Sequence, residues 1–295
     1  MPASPTTSVV ISTRDRPDFV TTALDAVLAC DPPPAEVVVV DQSRVPHPVL
    51  ARRSPVLGPN VRYLWPAGQG LSRSRNAGIA AASGEVVALL DDDVLVPPDW
   101  IGCGLAALAE EGPRSIVTGR VEAGAPEVPG AFAPSTKSTL VREVYEGRIW
   151  TDVLSSNVVL PKAAWAEIGG FDERLGVGAR FPSSEDNDFG YRLLEAGYRI
   201  VYRPDLVVEH RSWRRSGAFV SLRWSYGRGQ GAYFAKHLSR DDLYMARRLD
   251  SNLRRHLRRG IRRAGQGHLR DALGDLAYSY GVSFGALEWL LTERR

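Results

Sequence analysis

Three short runs rich in β-branched residues constrain the fold of this chain more than anything else in its 295 residues. They are Ser8-Val9-Val10-Ile11-Ser12, Glu36-Val37-Val38-Val39-Val40-Asp41 and Val86-Val87-Ala88-Leu89-Leu90. None alternates polar with apolar residues, so each reads as a strand covered on both faces, as in a parallel sheet between helical layers. Helical patterns fill the gaps. Pro17 to Ala29 starts with proline in its first turn, where a missing N–H costs nothing, and sets Leu24, Val27 and Leu28 on one face. Pro32-Pro33-Pro34 stops it. Leu71 to Ser83 forms the next helix and is expected to end on a left-handed Gly84. Val61 to Leu64 adds a third short strand, and Asp99 to Glu111 a helix after Pro97-Pro98. This alternation predicts an α/β fold, a mostly parallel, Rossmann-like sheet flanked by helices. Ligands in such sheets bind beyond the carboxyl ends of the strands, where Thr13, Asp41 and Asp91 to Asp93 fall.

The later segments are less regular. Ser115 to Val121 reads as an edge strand, Gly124 to Ser138 as a loop and Val153 to Leu160 as a strand. Lys162 to Ile168 reads as a short helix closed by Gly169-Gly170. Ser184 to Ala196 reads as a helix with Ser184 as N-cap and Gly197 at its end. Arg199 to Arg203 and Leu206 to Glu209 are expected as two short strands. From Arg211 the chain turns helical and Arg-rich, with Gly227, Gly229 and Gly231 as interruptions. Residues 1–210 hold 19 Lys and Arg against 27 Asp and Glu, whereas 211–295 hold 18 against seven. The chain therefore divides at 210 into an acidic α/β body and a basic helical extension. Such asymmetry points to a cation site in one part and an anionic partner in the other.

Within the extension, Leu253, Leu257 and Ile261 recur every four residues with paired arginines between them. This stripe fits a helix lying on an anionic membrane surface or against a lipid-diphosphate acceptor, and fits an ordinary solvated helix equally well. Aromatic residues do not interleave with these arginines, so nucleic acid is not an expected partner. No run of about 18 apolar residues is present to cross a membrane. Met1 to Thr7 shows no basic patch leading into an apolar run, so no signal peptide is expected. Two cysteines, Cys30 and Cys103, cannot build a disulfide framework. From these features a cytoplasmic location is expected, at most peripheral on the inner face of the membrane.

Asp91-Asp92-Asp93 is the first constellation with chemical content. Three adjacent carboxylates after an apolar strand repel one another unless something rewards them, and a divalent cation with oxygen ligands is the usual reward. On extended backbone Asp91 and Asp93 would point one way and Asp92 the other; a solvated acidic turn is the plainer alternative. The second is Ser184-Glu185-Asp186-Asn187-Asp188, where acidic residues suit a first helical turn and also suit a general base. Asp41 fits a nucleoside contact or an Asx turn. Arg75-Asn76 fits a diphosphate contact or a solvated helix surface. His210 fits a metal ligand or a hydrogen-bonded structural residue.

Six blocks in order carry a family resemblance. They are Val9-Val10-Ile11-Ser12-Thr13-Arg14-Asp15-Arg16-Pro17; Val38-Val39-Val40-Asp41-Gln42-Ser43; Gly70-Leu71-Ser72-Arg73-Ser74-Arg75-Asn76-Ala77-Gly78; Leu90-Asp91-Asp92-Asp93; Gly169-Gly170-Phe171-Asp172-Glu173; and Glu185-Asp186-Asn187-Asp188-Phe189. Over residues 8 to 210 the chain resembles the family-2 inverting glycosyltransferases of the GT-A fold. The resemblance implies a metal-dependent transfer of sugar from a nucleotide-sugar to an acceptor hydroxyl on a glycan, a lipid carrier or a small natural product. It implies that Thr13 and Arg14 line the nucleotide, that Asp41 binds the base, and that Arg75 and Asn76 line the nucleotide-sugar site together with Asp91 and Asp92. It implies that Asp93, with Asp91 and His210, holds Mg²⁺ or Mn²⁺, and that Asp186, beside Glu185, is the base. Ser155-Ser156-Asn157 departs from the family's small, often Gly-containing stretch, and Arg14 stands where an aromatic is frequent. A sugar-1-phosphate nucleotidyltransferase shares a similar sheet, but Thr13 to Pro17 lacks its Gly-rich loop. An inactive binding module would be expected to lose the acidic pairs, and here they are present.

Overall fold

The computed structural model describes residues 5–52, 60–125, 129, 131–211 and 213–293. The signal-peptide expectation falls largely outside these residues, as does part of the 124–138 loop. In chain order the elements are β1 (Thr7–Thr13), α1 (Pro17–Leu28), β2 (Glu36–Asp41), β3 (Val61–Leu64), α2 (Leu71–Ala81), β4 (Val86–Asp91), β5 (Val94–Leu95), α3 (Trp100–Glu111) and β6 (Ser115–Ala123). They continue with β7 (Glu143–Tyr145), β8 (Val158–Pro161), α4 (Lys162–Ile168), α5 (Glu185–Glu195), β9 (Arg199–His210), α6 (Phe219–Lys236), α7 (Tyr244–Gly265) and α8 (Leu269–Thr292).

One sheet runs in the order β3-β2-β1-β4-β8-β6-β9-β5, with β7 also on β9. β1 to β4 are mutually parallel wherever they pair, and β8 enters antiparallel to both β4 and β6. The three apolar runs are buried because helices cover both faces. Val9, Ile11, Val37 and Val39 pack with α1 and α3 residues on one side, while Val10, Val38, Val40 and Leu89 pack with Ile79, Phe189 and Leu193 on the other. Register pairs Thr13 with Asp41 and Ser12 with Asp91, so the ends of β1, β2 and β4 open onto one edge.

Several expectations are corrected. β6 is interior, between β8 and β9, because β9 pairs with it along nearly its whole length. β9 is one strand of 12 residues and not two, since the interruption at 204–206 is absorbed as a register shift opposite Gly119 and Arg120. Asn157 pins that shift: fully buried, it donates to the Leu206 carbonyl (2.9 Å) and accepts from Trp100 Nε1 (3.0 Å). The strand expected from Val153 begins only at Val158. α2 ends on Ala82 in extended backbone, and Gly84 does not adopt the left-handed region. Gly84 instead lies where a Cβ would meet the Ser8 backbone and hydroxyl.

Among its described residues the extension is a short 3-10 turn (Ser216–Ala218) and three α-helices, α6 to α8. Gly227, Gly229 and Gly231 do not interrupt α6. They let its backbone press on neighbours: a Cβ on Gly231 would overlap the Val282 carbonyl of α8, and one on Gly229 would overlap Ser183. α7 buries Tyr244, Met245, Arg248, Asn252, His256 and Gly260; of its apolar stripe Leu253 is half-buried, while Leu257 and Ile261 are exposed. Asp275 of α8 accepts from Arg259 and Arg263 and faces His256 at 3.1 Å. Among the described residues no helix is long and apolar enough to cross a membrane.

Candidate active site

β4 stops at Asp91, and Asp92 and Asp93 form a turn before β5. Strand alternation is therefore lost, and the expected pairing of Asp91 with Asp93 against Asp92 does not hold. Asp92 and Asp93 turn together toward Arg16, while Asp91 turns to Arg75. Arg16 Nε donates to Asp92 Oδ2 (3.0 Å) and Nη1 to Asp93 Oδ2 (2.7 Å), with a further close contact from Nη2 to Asp92. Thr13 Oγ1 donates to the same Asp92 (2.6 Å). His210, brought alongside by the pairing of β5 with β9, sets Nε2 3.2 Å from Asp93 Oδ1. Burial alone would raise Asp93, but the hydrogen bond from His210 and the charge of Arg16 hold its carboxyl well below the usual range. Burial prevails at Asp92, which is pushed up to about 6 against the pull of Arg16.

Arg75 connects the two acidic constellations. Buried on α2, it donates from Nη2 to Asp91 (3.0 Å) and from Nη1 to Glu185 (3.5 Å) across 110 residues of sequence. Asp186 follows at the start of α5, with Oδ1 accepting the Asn187 N–H (2.8 Å). Burial, then the like charge of Glu185, pushes Asp186 up to about 7; burial raises Glu185 as well, against the pull of Arg75. Ser184 precedes this turn but does not cap it. Its backbone is left-handed (φ 70°), and its hydroxyl donates to Gln230 Oε1 of α6 (3.0 Å). Gln230 also accepts from Asn187 (2.7 Å) and donates to Asp152 (3.1 Å).

A cleft of ≈ 620 Å³ lies beyond the sheet edge, lined by Thr13, Asp15, Asp41, Ser43, Arg44 and His47 among others. Asp41 sits at its floor, almost fully buried, and realises the Asx turn: Oδ1 accepts the Ser43 N–H (2.8 Å) and Oδ2 the Tyr63 hydroxyl (2.6 Å). Arg14 is exposed, 3.7 Å from Asp15. Asn76 does not join the cluster. Its Nδ2 donates to the Phe171 carbonyl (2.8 Å), and its Oδ1 accepts from Trp165 Nε1 and the Phe171 N–H, so its amide holds the 169–171 turn. Asp188 also has a structural place, with Arg192, Lys236 and His237 around it. Arg16, Gln230 and Asp152 had carried no assigned role in the sequence. Arg16 stands in a helix-entry position that any residue can fill, and the other two meet the site only through tertiary packing.

The donor set fits a divalent cation. Among the described residues no three His, Cys, Asp or Glu side chains form a ready cage. Mg²⁺ and Mn²⁺ sites need no such cage, since one or two carboxylates suffice when phosphate oxygens and water complete the shell. Asp93 and His210 supply an adjacent oxygen and imidazole, His210 Nδ1 is buried without a hydrogen-bond partner, and the turn already gathers one cation, the Arg16 guanidinium.

Fold and site together define a GT-A transferase architecture. Residues 8–154, about half of the chain, match the model of Glycosyl transferase family 2. The chain belongs to that family. It is 27% identical over 177 residues to the pre-mycofactocin glycosyltransferase of Mycobacterium tuberculosis, covering 58% of this chain and 36% of that protein. It therefore spans little more than a third of that relative's length. It is 27% identical over 219 residues to the glucosyl-dolichyl phosphate glucuronosyltransferase of Haloferax volcanii, covering 69% of this chain and 68% of the relative. Among solved structures, the mannosyltransferase PcManGT of Pyrobaculum calidifontis, in complex with GDP-Man and Mn²⁺, superposes with a TM-score of 0.62 at 18% identity. The likeness covers 97% of this chain and 88% of that one.

Proposed function

We propose that this protein transfers a sugar from a nucleoside-diphosphate sugar to an acceptor hydroxyl in one displacement that inverts the anomeric carbon. The observation that carries the reading is the buried Arg75 bridge. It draws the acidic strand end and the acidic helix start, far apart in sequence, to one place beside the cleft. The base and ribose occupy the cleft against Thr13, Arg14 and Asp41, with Asp92 and Asp91 toward the sugar-phosphate end. Asp93 and His210, with Asp91 close by, are the residues that would hold Mg²⁺ or Mn²⁺; the cation supplies Lewis-acid neutralisation of the leaving diphosphate. The Mn²⁺ and GDP-Man of the Pyrobaculum enzyme support the same assignment of cofactor and donor class.

Asp186 takes the proton from the acceptor hydroxyl, which is a weak nucleophile until that proton leaves. A carboxylate tuned upward by burial removes a proton more readily than an ordinary one, and such a base contributes ~10²–10⁴-fold in rate. Glu185 and Arg75 fix the start of α5 relative to the triple-aspartate turn, and inversion in one displacement requires base and leaving group on opposite sides of the reacting carbon. The acceptor is a carbohydrate, a lipid-linked or a natural-product hydroxyl.

Calorimetry of UDP, dTDP and GDP, each with and without Mn²⁺, followed by a donor screen with the matching sugars, tests the reading. Nucleotide binding strengthened by Mn²⁺ and transfer lost in a folded Asp186→Asn variant are expected. Failure to bind any of the three nucleotides removes the transferase reading. Near-native transfer by Asp186→Asn removes the assignment of the base.

A further inference from the structure

The outward face of α8 is apolar, against the usual pattern for a helix that borders solvent, and α7 sets two exposed apolar residues among exposed arginines. On α8, Leu269, Leu273, Leu276, Tyr280, Leu287 and Leu291 recur at helical spacing on the side away from the core, and Leu291 and Tyr280 are 74% and 66% exposed. On α7 the inner side is apolar at its start (Tyr244, Met245) and polar or small further on (Arg248, Asn252, His256, Gly260), and Leu257 and Ile261 stand outside, Ile261 at 70%. The two rows adjoin, because Leu276 lies at van der Waals distance from where a Cβ on Gly260 would sit. Trp224 of α6 extends the surface through ring contacts with Tyr280 and Phe284, at 5.0 and 5.5 Å between centroids. Patches of this extent on a soluble chain mark an interaction surface.

Charge selects the occupant. Arg255, Arg258 and Arg262 are exposed on α7 beside the apolar row and, among the described residues, have no acidic partner. A second copy of the same face would bring these arginines against their own counterparts. An anionic bilayer offers hydrocarbon for the leucines, an interfacial layer for the aromatic rings and phosphates for the guanidinia. We propose that the α7–α8 face is a membrane-docking surface that seats this protein on the headgroup layer of an anionic bilayer. The inference rests on this surface alone and stands apart from the transfer reaction.

Cosedimentation of the full chain with vesicles tests it. Vesicles of phosphatidylcholine with phosphatidylglycerol, three to one, are compared with phosphatidylcholine alone, at low and high salt. Binding to the anionic vesicles that weakens with salt is expected. A Leu273→Glu, Leu287→Glu double variant should abolish it, and an Arg255→Gln, Arg258→Gln, Arg262→Gln variant should weaken it on the order of a hundredfold, given the attraction of each near-surface arginine to anionic lipid. Both variants alter only exposed positions, and circular dichroism with the thermal midpoint checks that they fold. No binding to anionic vesicles at low salt overturns the proposal. So does binding that the leucine variant leaves intact. Light scattering covers the alternative occupant: a wild-type dimer that Leu273→Glu converts to a monomer, with no vesicle binding by either, assigns the face to self-association.

Discussion

The pH dependence of transfer follows from the start of α5. Asp186 is pushed up to about 7, first by burial and then by the neighbouring charge of Glu185, with Arg75 opposing. A general base works only when deprotonated, so a raised pKa moves the loss of activity upward in pH. With the midpoint near 7, roughly a tenth of the enzyme is active at pH 6 and about nine-tenths at pH 8. Initial rates of nucleoside-diphosphate release, measured over this range under saturating and limiting donor, should rise with unit slope and level off above neutrality. Replacing Glu185 by Gln removes the like charge and should move the midpoint down by on the order of one unit. The same shift has a stability consequence. Because the folded protein holds the proton more tightly than the unfolded chain, Asp186 favours folding below the ordinary carboxylate range. That contribution is lost as pH rises through about 7. Asp186→Asn, which cannot ionise, should therefore melt at a higher temperature than wild type at pH 8 while losing transfer. A flat rate profile across neutrality, or a variant that melts lower at pH 8 than wild type, would refute the burial argument.

Further expectations concern the residues around this site. Arg16→Gln removes the guanidinium from Asp92 and Asp93, so calorimetric titration should show Mn²⁺ binding tightened roughly three- to tenfold; unchanged affinity would mean that the cation binds elsewhere. Asp188→Asn leaves Arg192, Lys236 and His237 around a buried neutral group, and urea unfolding should register a loss of about 3–5 kcal/mol. Gly231→Ala forces α6 off the Val282 carbonyl, and the same measurement should show about 1–3 kcal/mol lost. A Gly231→Ala protein as stable as wild type would contradict the close packing of α6 on α8.

What could be read from the chain was mainly local. The buried strands, α1, α3 and α4 follow from apolar runs, proline and glycine punctuation, and the sheet-edge address of Thr13, Asp41 and Asp91 follows from strand direction alone. What escaped was set by partners distant in sequence. Nothing in Ser115 to Val121 shows that β9 will cover it, and nothing in Gly227, Gly229 and Gly231 distinguishes a broken helix from one pressed against another backbone. The leucine stripe of α7 fits a membrane-facing helix and a solvated one equally, and nothing local shows that His256 and Arg248 take inner positions because Asp275 and Asp152 wait there. Arg75 reads in the sequence as a diphosphate contact or a solvated helix residue, and its bridge between two acidic segments depends on where α2 and α5 meet.

The C-terminal helices and the chemistry of α5 are linked by cause. A first helical turn carrying Glu185, Asp186 and Asp188 on an open surface would be solvated, and its carboxylates would keep ordinary pKa values. Here α6 covers that turn. Gln230 is hydrogen-bonded to Ser184, Asn187 and Asp152, while Lys236 and His237 close on Asp188. Tyr233 of α6 and Arg248 of α7 border the same small crevice as Asp186 and Asp152. Burial is the largest contribution to the upward shift of Asp186, and Tyr233 and Arg248 are the extension's share of the crevice it lines. The basic extension thus acts on two levels: its inner faces contribute to the burial of the proposed base, and its outer faces carry the apolar and cationic surface. A lesion that loosened α6 would lower the pKa of Asp186 without touching any acidic residue.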